Sequence, residues 1–420
     1  MRAVVVRDGI LEVTEMPLPV PGPGQIRLRV TRAGICGSDL HVRHDADASA
    51  DVAAEVGYPA FMRRGESVVM GHEFTGTVDE YGPGCRRRWR PGQAVVSLPL
   101  IRHGDEIHMT GLSAKAPGAY AEYVLVAEDV TMPVPDGVEP GLAALTEPLA
   151  VAHHAVRRGQ VARNDIAVVI GCGPIGLAVI LMLKAAGVRK VVASDLTGRR
   201  RELARACGAD VVVDPATGSP WAGLGLVTSA PELFGTGLTA LHALRRVRGL
   251  PWWTVLRTAQ RLGAGPRGAV VFECVGVPGV IEDIVTHAPF RSRVVVVGVC
   301  MRPDTFRPTM ASNKEIDLRF SFCYDPAEFR DTLHMIARRR IDPRPLLTGV
   351  VGLSGVAEAF DQLAGAGHHA KILVDPIGSS LSADPTGPSQ SADPSGPSQS
   401  AGPSGDSLSA DPTGSSPGSS

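Results

Sequence analysis

Cys36 stands in Gly34-Ile-Cys-Gly-Ser-Asp-Leu-His41, His72 and Glu73 in Gly71-His-Glu-Phe74, and Glu147 in Thr146-Glu-Pro-Leu-Ala150. A thiolate, an imidazole and carboxylates form a donor set that zinc accepts in tetrahedral geometry. The three segments are far apart in the chain, so spacing alone does not prove a site. Read by themselves, Cys36 is equally a small buried hydrophobe and His72 an ordinary core or surface histidine.

Gly171-Cys-Gly-Pro-Ile-Gly176 is a second constellation, of the form G-x-G-x-x-G. The match means little in isolation, but here it follows the apolar strand-like run Ile166 to Ile170 and opens a helix-like run from Ile175 to Ala186. In that context Gly171 permits a tight turn, Gly173 lets a pyrophosphate approach the backbone, and Gly176 lets helix pack on strand. Pro174 and Ile175 begin the helix whose free N–H groups face phosphate. Asp195 ends the next strand, where a carboxylate binds both ribose hydroxyls of NAD and repels the 2'-phosphate of NADP. Arg199, Arg200 and Arg201 follow directly and pull the other way, with Arg200 taken as the cofactor contact; NAD is the preferred cofactor.

These residues need two kinds of scaffold. Up to about residue 148 the chain reads as short strands punctuated by Gly and Pro, such as Ile26 to Val30, Thr75 to Glu80, Ala94 to Leu98 and Ala121 to Val126, which predicts a β core with long loops. Thereafter strands alternate with helices: Ile166 to Ile170, Val191 to Ser194, Val211 to Val213, Ala269 to Glu273 and Arg293 to Val299 are strands, and Gly198 to Cys207 is a helix. That rhythm predicts a parallel sheet with crossovers. Ligands of such sheets bind at the carboxyl ends of the strands, so Val297, Gly298 and Val299 are expected beside a nicotinamide. A helix from Leu353 to Leu363 and a strand from Ala370 to Val374 are expected to return to the first domain. The expected division is therefore a discontinuous catalytic domain, 1–148 and 323–376, around a dinucleotide domain, 149–322. An insertion at about 215–266, rich in Leu, Arg and Trp and helical from Pro251 to Leu262, is expected to cover the sheet edge or form a subunit contact. From 377 to 420 Ser, Pro, Gly, Asp and Ala dominate and Ser-Ala recurs at Ser382, Ser391, Ser400 and Ser409. Such a segment has too little to bury to offset the entropy of ordering, and disorder is expected.

The bulk numbers exclude little but agree. At 420 residues two domains are the default. A formal net charge of −1 argues for neither nucleic acid nor an anionic membrane as partner. No apolar run approaches the roughly 20 residues of a bilayer span, and no signal peptide is read at Met1. The 7 cysteines, odd in number and dispersed, suggest no disulfide framework. A cytoplasmic enzyme is the plain expectation.

Taken in order, Gly34 to His41, Gly71 to Glu73, Gly118-Ala-Tyr-Ala-Glu-Tyr123, Glu147 to Ala150 and Gly171 to Gly176 resemble the motifs of the zinc-containing medium-chain alcohol dehydrogenases, especially the branch of polyol (sorbitol-type) and threonine dehydrogenases. The likeness runs from residue 1 to about 376. It implies a catalytic domain with a partly open β-barrel core, a doubly wound Rossmann domain, and an active site in the cleft between them. It also implies zinc ligation by Cys36, His72 and at least one of Glu73 and Glu147, with Asp39 orienting His72. Ser38 would accept the substrate's hydroxyl proton in a hydrogen bond and His41 would carry it to solvent. Lys371 would lie near the pyrophosphate and the Asp39 loop. The implied reaction is NAD-linked oxidation of a secondary alcohol or polyol, by a homo-dimer or homo-tetramer. The rivals are an NADP-linked carbonyl reductase, a zinc-free quinone or enone reductase, and a nucleotide-binding protein without turnover. Two departures stand out. Ser97 to Ala119, where the family often holds a structural zinc on four cysteines, contains none, so only a catalytic zinc is predicted. The segment between Cys36 and His72, including Asp45 to Asp51 and Tyr58 to Phe61, is unusually long and is expected near the substrate cleft.

Overall fold

A computed structural model describes residues 1–249, 251–262, 265–365 and 369–378. Apart from its first two residues, the low-complexity segment 377–420 lies outside the described residues.

Six parallel strands form one sheet in the spatial order Val211–Val213, Lys190–Ser194, Ile166–Ile170, Val270–Glu273, Arg293–Val296, Asp317–Phe320. In chain order these are the third, second, first, fourth, fifth and sixth, the doubly wound arrangement that reverses direction beside its first strand. Both faces are covered, as all-parallel sheets require. Ala167, Val169, Val191, Ala193, Val270, Phe272 and Val295 pack toward helix Thr146–Arg158 and helix Pro174–Ala185. The alternate residues Val168, Val192, Val271 and Val294 pack toward helix Val280–His287 and Leu224. The 215–266 insertion is thus partly seated: Leu224 is buried, and the amide of Phe290 donates to Val227 O at 2.9 Å.

The other sheet runs in the order Thr131–Pro133, Ala94–Ser97, Glu73–Tyr81, Gln25–Gly34, Lys371–Asp375, Leu347–Gly352, with Tyr123–Ala127 also pairing Gln25–Gly34. Its inward residues, Ile26, Leu28, Val30, Phe74, Val78, Val124, Val126, Ile372 and Val374, share one core. The chain therefore leaves this sheet, builds the parallel one and comes back: Leu373 pairs antiparallel with Gly34. Ser97 to Ala119 contains the hairpin Leu100–His103 and Glu106–Met109. It is tied down by His108, which contacts Ser113 Oγ at 3.1 Å and Glu106 Oε2 at 3.2 Å, and by Lys115 donating to Glu106 at 2.7 Å.

The long segment after Cys36 is a helix, Gly37–Glu55, kinked at Asp45. Only its first turn, through Gly37 and Leu40, reaches the interdomain cavity. Beyond that, Arg43 donates to Gly9 O at 3.1 Å and Tyr58 Oη accepts from the Met109 amide at 2.7 Å. The stretch expected near the cleft instead packs on the N-terminal strands and the hairpin, because Val42, Ala46 and Met62 are apolar and join the first domain's core.

Candidate active site

Cys36 caps the start of helix Gly37–Glu55, and its amide donates to Asp39 Oδ2 at 3.0 Å. Asp39 is fully buried and accepts a second bond from the Tyr120 hydroxyl at 2.5 Å. Its other oxygen, Oδ1, stands 3.3 Å from His72 Nδ1. Burial alone would raise the Asp39 carboxyl, but His72, Tyr120 and the Cys36 amide outweigh it and hold it below the usual carboxylate range. With Nδ1 facing a carboxylate, Nε2 of His72 is the nitrogen left to bind something else, the usual arrangement of a metal-binding histidine. Ser38 Oγ lies 3.5 Å from that Nε2.

Glu73 begins strand Glu73–Tyr81 next to His72 and has no exposed surface. Gly34 makes room for it, since a side chain there would overlap Glu73 Oε2. Both carboxylate oxygens accept from Lys371 Nζ at 2.7 Å, and Lys371 also donates to Ile35 O at 2.9 Å. Lys371 therefore is not a pyrophosphate contact: it is 1% exposed and spent on the back of the Cys36–Glu73 cluster. Its neighbours His369 and Ala370 line the cavity in its place.

The ligand atoms of Cys36, His72 and Glu73 all lie within 4.8 Å of one another. Ligands in a tetrahedral zinc site stand about 3.5 Å apart when the bonds are 2.0–2.3 Å. Small side-chain movements span that difference, and a thiol, an oriented imidazole and a carboxylate fit zinc. Glu147, in the first turn of helix Thr146–Arg158, is outside this tight trio but faces it electrostatically. Burial, with Glu73 adding to it, pushes its carboxyl up to about 7 against the opposing pull of His72, Tyr324 and Lys371.

The two domains meet at a cavity of about 220 Å³. One wall is Ile35, Cys36, Gly37 and Leu40; the other is Gly171, Gly173, Pro174, Asp195, Arg200, Cys274 and Val275. Gly171 has φ +90°, and a side chain on Gly176 would collide with its carbonyl oxygen, so this turn requires both glycines. Pro174 opens helix Pro174–Ala185 at a position where a missing N–H costs nothing, and Ile175 follows, half-buried. Asp195 Oδ2 accepts from the Cys172 amide at 2.8 Å and Oδ1 from the Thr197 amide at 2.7 Å, which fixes the carboxylate at the cavity wall. Of the three arginines behind it, Arg199 pairs with Glu202 and Arg201 with Asp214, each at 3.0 Å. Arg200 faces the cavity, and its Nε is buried without a hydrogen-bond partner. Val297, Gly298 and Val299 follow strand Arg293–Val296 at the carboxyl end of the sheet, where Gly298 packs on the Gly276 backbone; they do not line this cavity.

Three participants went unnoticed in the sequence. Tyr120 was visible only as part of Gly118 to Tyr123, yet its buried hydroxyl ties Asp39 in place. Tyr324 acts on Glu147 electrostatically, its hydroxyl pushed well up by burial and by that carboxyl. Cys323 has left-handed backbone, φ +52°, and burial, with Glu147 nearby, pushes its thiol up to about 12. The Asp325-Pro326 helix start signals a boundary there but nothing about Glu147.

Sheet order and cavity together define a doubly wound domain whose glycine turn faces the thiol-bearing wall of a second, β-rich domain. Residues 22–136 match the alcohol dehydrogenase GroES-like domain, and residues 174–243 match the zinc-binding dehydrogenase domain. The chain belongs to the zinc-containing medium-chain alcohol and polyol dehydrogenase family. It is 29% identical over 388 residues to (R,R)-butanediol dehydrogenase of Neisseria gonorrhoeae, covering 88% of this chain and 97% of that protein. It is 28% identical over 391 residues to human sorbitol dehydrogenase, covering 89% and 95%. The crystal structure of 2R,3R-butanediol dehydrogenase from Bacillus subtilis superposes with a TM-score of 0.68 at 27% identity, covering 89% of this chain and 99% of that one.

Proposed function

We propose that this protein oxidises a secondary alcohol flanked by a second hydroxyl, a vicinal diol or polyol, with NAD as hydride acceptor and one zinc in the cleft. The observation that carries the reading is the shared cavity, in which Cys36 and the Gly171 to Pro174 turn face each other. Cys36 and His72 would hold the zinc together with Glu73 or Glu147. The metal supplies Lewis acidity, which lets a hydroxyl lose its proton near neutral pH. The names of the relatives, butanediol and sorbitol dehydrogenase, support the diol and polyol class.

The chain's own residues do the remaining work. Asp39 fixes the ring orientation of His72, and Tyr120 and the Cys36 amide fix Asp39, so the cluster is rigid before substrate arrives. Ser38 accepts the substrate's hydroxyl proton in a hydrogen bond and His41, three residues on, passes it outward. Positions three apart share one face of a helix, and His41 is exposed while Ser38 is half-buried. That gradient suits a path from site to solvent. Lys371 neutralises Glu73 from behind, limiting the negative charge beside the substrate oxygen. Asp195 takes the adenosine ribose, and the free N–H groups of helix Pro174–Ala185 take the pyrophosphate.

Arg200 favours a second reading, in which NADP replaces NAD, because its unpartnered Nε faces the same wall as Asp195. Metal content and cofactor use test both readings. Elemental analysis of wild type should find one zinc per chain, lost in Cys36→Ala and His72→Ala; retention in whichever of Glu73→Gln and Glu147→Gln is not a ligand identifies the third donor. Turnover of a 2,3-diol with NAD should exceed that with NADP. Zinc-free wild type with undiminished turnover would sink the mechanism, and a preference for NADP would move the cofactor reading to Arg200.

A further inference from the structure

The net charge of −1 conceals a local excess in the insertion. Between Ser229 and Leu262 the only acidic residue is Glu232, while Arg245, Arg246, Arg248, Arg257 and Arg261 are all exposed. Among the described residues none of these five forms an ion pair. The segment folds as two helices, Ala230–Arg245 and Trp252–Arg261, neither of which contains a buried residue.

Each helix has apolar side chains in excess of what its neighbours cover. In Trp252–Arg261 the half-buried residues Trp252, Val255, Leu256 and Ala259 follow helical spacing along one side. The other side carries Trp253, Arg257 and Arg261 at intervals of four, with Trp253 58% and the following Leu262 82% exposed. In Ala230–Arg245, Leu233, Leu241 and Leu244 are half-buried, whereas Phe234 and Leu238, again four apart, are 66% and 67% exposed. A ten-residue helix with so little packing is marginal in water.

We propose that this insertion is a docking surface for an anionic lipid bilayer, lying in the headgroup layer without crossing it. Helices that combine arginines with exposed Trp, Phe and Leu settle in the interfacial plane, apolar side chains in the acyl boundary and guanidiniums on the headgroups. A negative surface adds its attraction for every arginine near it. No described helix is long and apolar enough to span a membrane, so association is peripheral. A second copy of this chain fits less well, because a two-fold interface sets the same patch against itself and would bring five arginines to face five. An acidic protein would satisfy the charges. However, protein interfaces gather apolar residues in a core with charge at the rim, whereas here Trp253 shares one side of a short helix with Arg257 and Arg261, and Leu262 follows directly.

The test is cosedimentation of the full-length protein with vesicles of phosphatidylglycerol and phosphatidylcholine in equal parts, and with vesicles of phosphatidylcholine alone. Binding should occur on the mixed vesicles, weaken with salt, and shift tryptophan emission to the blue. Arg257→Glu/Arg261→Glu should lower the partition at least about 25-fold, taking roughly fivefold per arginine at an anionic surface. Phe234→Ser/Trp253→Ser should lower it as well, and both variants should keep wild-type dehydrogenase turnover and circular dichroism. Equal sedimentation with both vesicle types, or with neither, would overturn the proposal. Salt-sensitive binding indifferent to Phe234→Ser/Trp253→Ser would overturn it in favour of an acidic protein partner. A discrete dimer in solution, dissociated by Trp253→Ser, would overturn it in favour of self-association.

Discussion

Replacing Lys371 by Met removes a charge while keeping an unbranched side chain of similar reach. Lys371 and Glu73 are 1% and 0% exposed, and the ammonium sits 2.7 Å from both carboxylate oxygens. The variant leaves a buried carboxylate with no cation at its back, and breaking a buried pair from one side costs about 3–5 kcal/mol. At about 2–4 °C per kcal/mol, the unfolding midpoint of metal-free protein should fall by roughly 6–20 °C. Thermal unfolding at fixed scan rate in the presence of chelator reads this directly. Glu73→Gln/Lys371→Met, which removes both charges, should recover most of the loss, because a neutral pair of similar volume is often no worse than the ionic one. Adding zinc should raise the midpoint of Lys371→Met more than that of wild type, since a second cation then faces Glu73. A single variant within about 1 kcal/mol of wild type, or no recovery in the double, would refute the argument that Lys371 serves Glu73.

Gly34→Ala would drive a methyl into Glu73 Oε2; overpacking of this kind costs about 1–3 kcal/mol, and zinc retention in dialysis should fall with it. Asp195→Asn should shift the NAD to NADP ratio of kcat/KM about tenfold toward NADP, equivalent to roughly 1.4 kcal/mol, because the carboxylate that repels a 2'-phosphate is gone and Arg200 stays; an unchanged ratio would remove Asp195 from cofactor choice. Glu122 is pushed up by partial burial but held lower overall by its bonds to the Arg2 amide and guanidinium, so its carboxyl lies below 4.5. Its contribution is present above that value and lost as pH falls through the folded pKa, so urea unfolding of wild type and Glu122→Gln should differ at neutral pH and converge in acid.

Most of the parallel sheet was legible because its strands carry apolar runs bounded by turn residues: Ile166–Ile170 and Val211–Val213 fall where the sequence puts them, whereas the edge strand Asp317–Phe320, half of it charged, gave no such signal. The glycine turn and Asp195 were legible for the same reason, since their meaning depends on adjacent residues. The helix Gly37–Glu55 was not, because Asp45-Ala-Asp-Ala-Ser-Ala-Asp51 has too few large apolar side chains to show a period, and only Val42, Ala46 and Ala50 mark its buried face. Neither was the assignment of Lys371, whose partner is 298 positions away. Long-range pairing of single polar groups leaves no local trace, so Tyr120 on Asp39 emerges only in three dimensions.

The return of strand Lys371–Asp375 to strand Gln25–Gly34 also imposes an order on biosynthesis. Gly34 waits for Leu373, about 340 residues of translation, which at roughly 5–20 residues per second is on the order of tens of seconds. During that interval the parallel sheet, continuous in sequence, can complete itself, while the first sheet hangs from the ribosome with an open central edge and Glu73 without its lysine. A chain stopped short of residue 371 would thus yield a folded nucleotide-binding half joined to an unfinished barrel, a species recognisable to chaperones and proteases by that exposed edge.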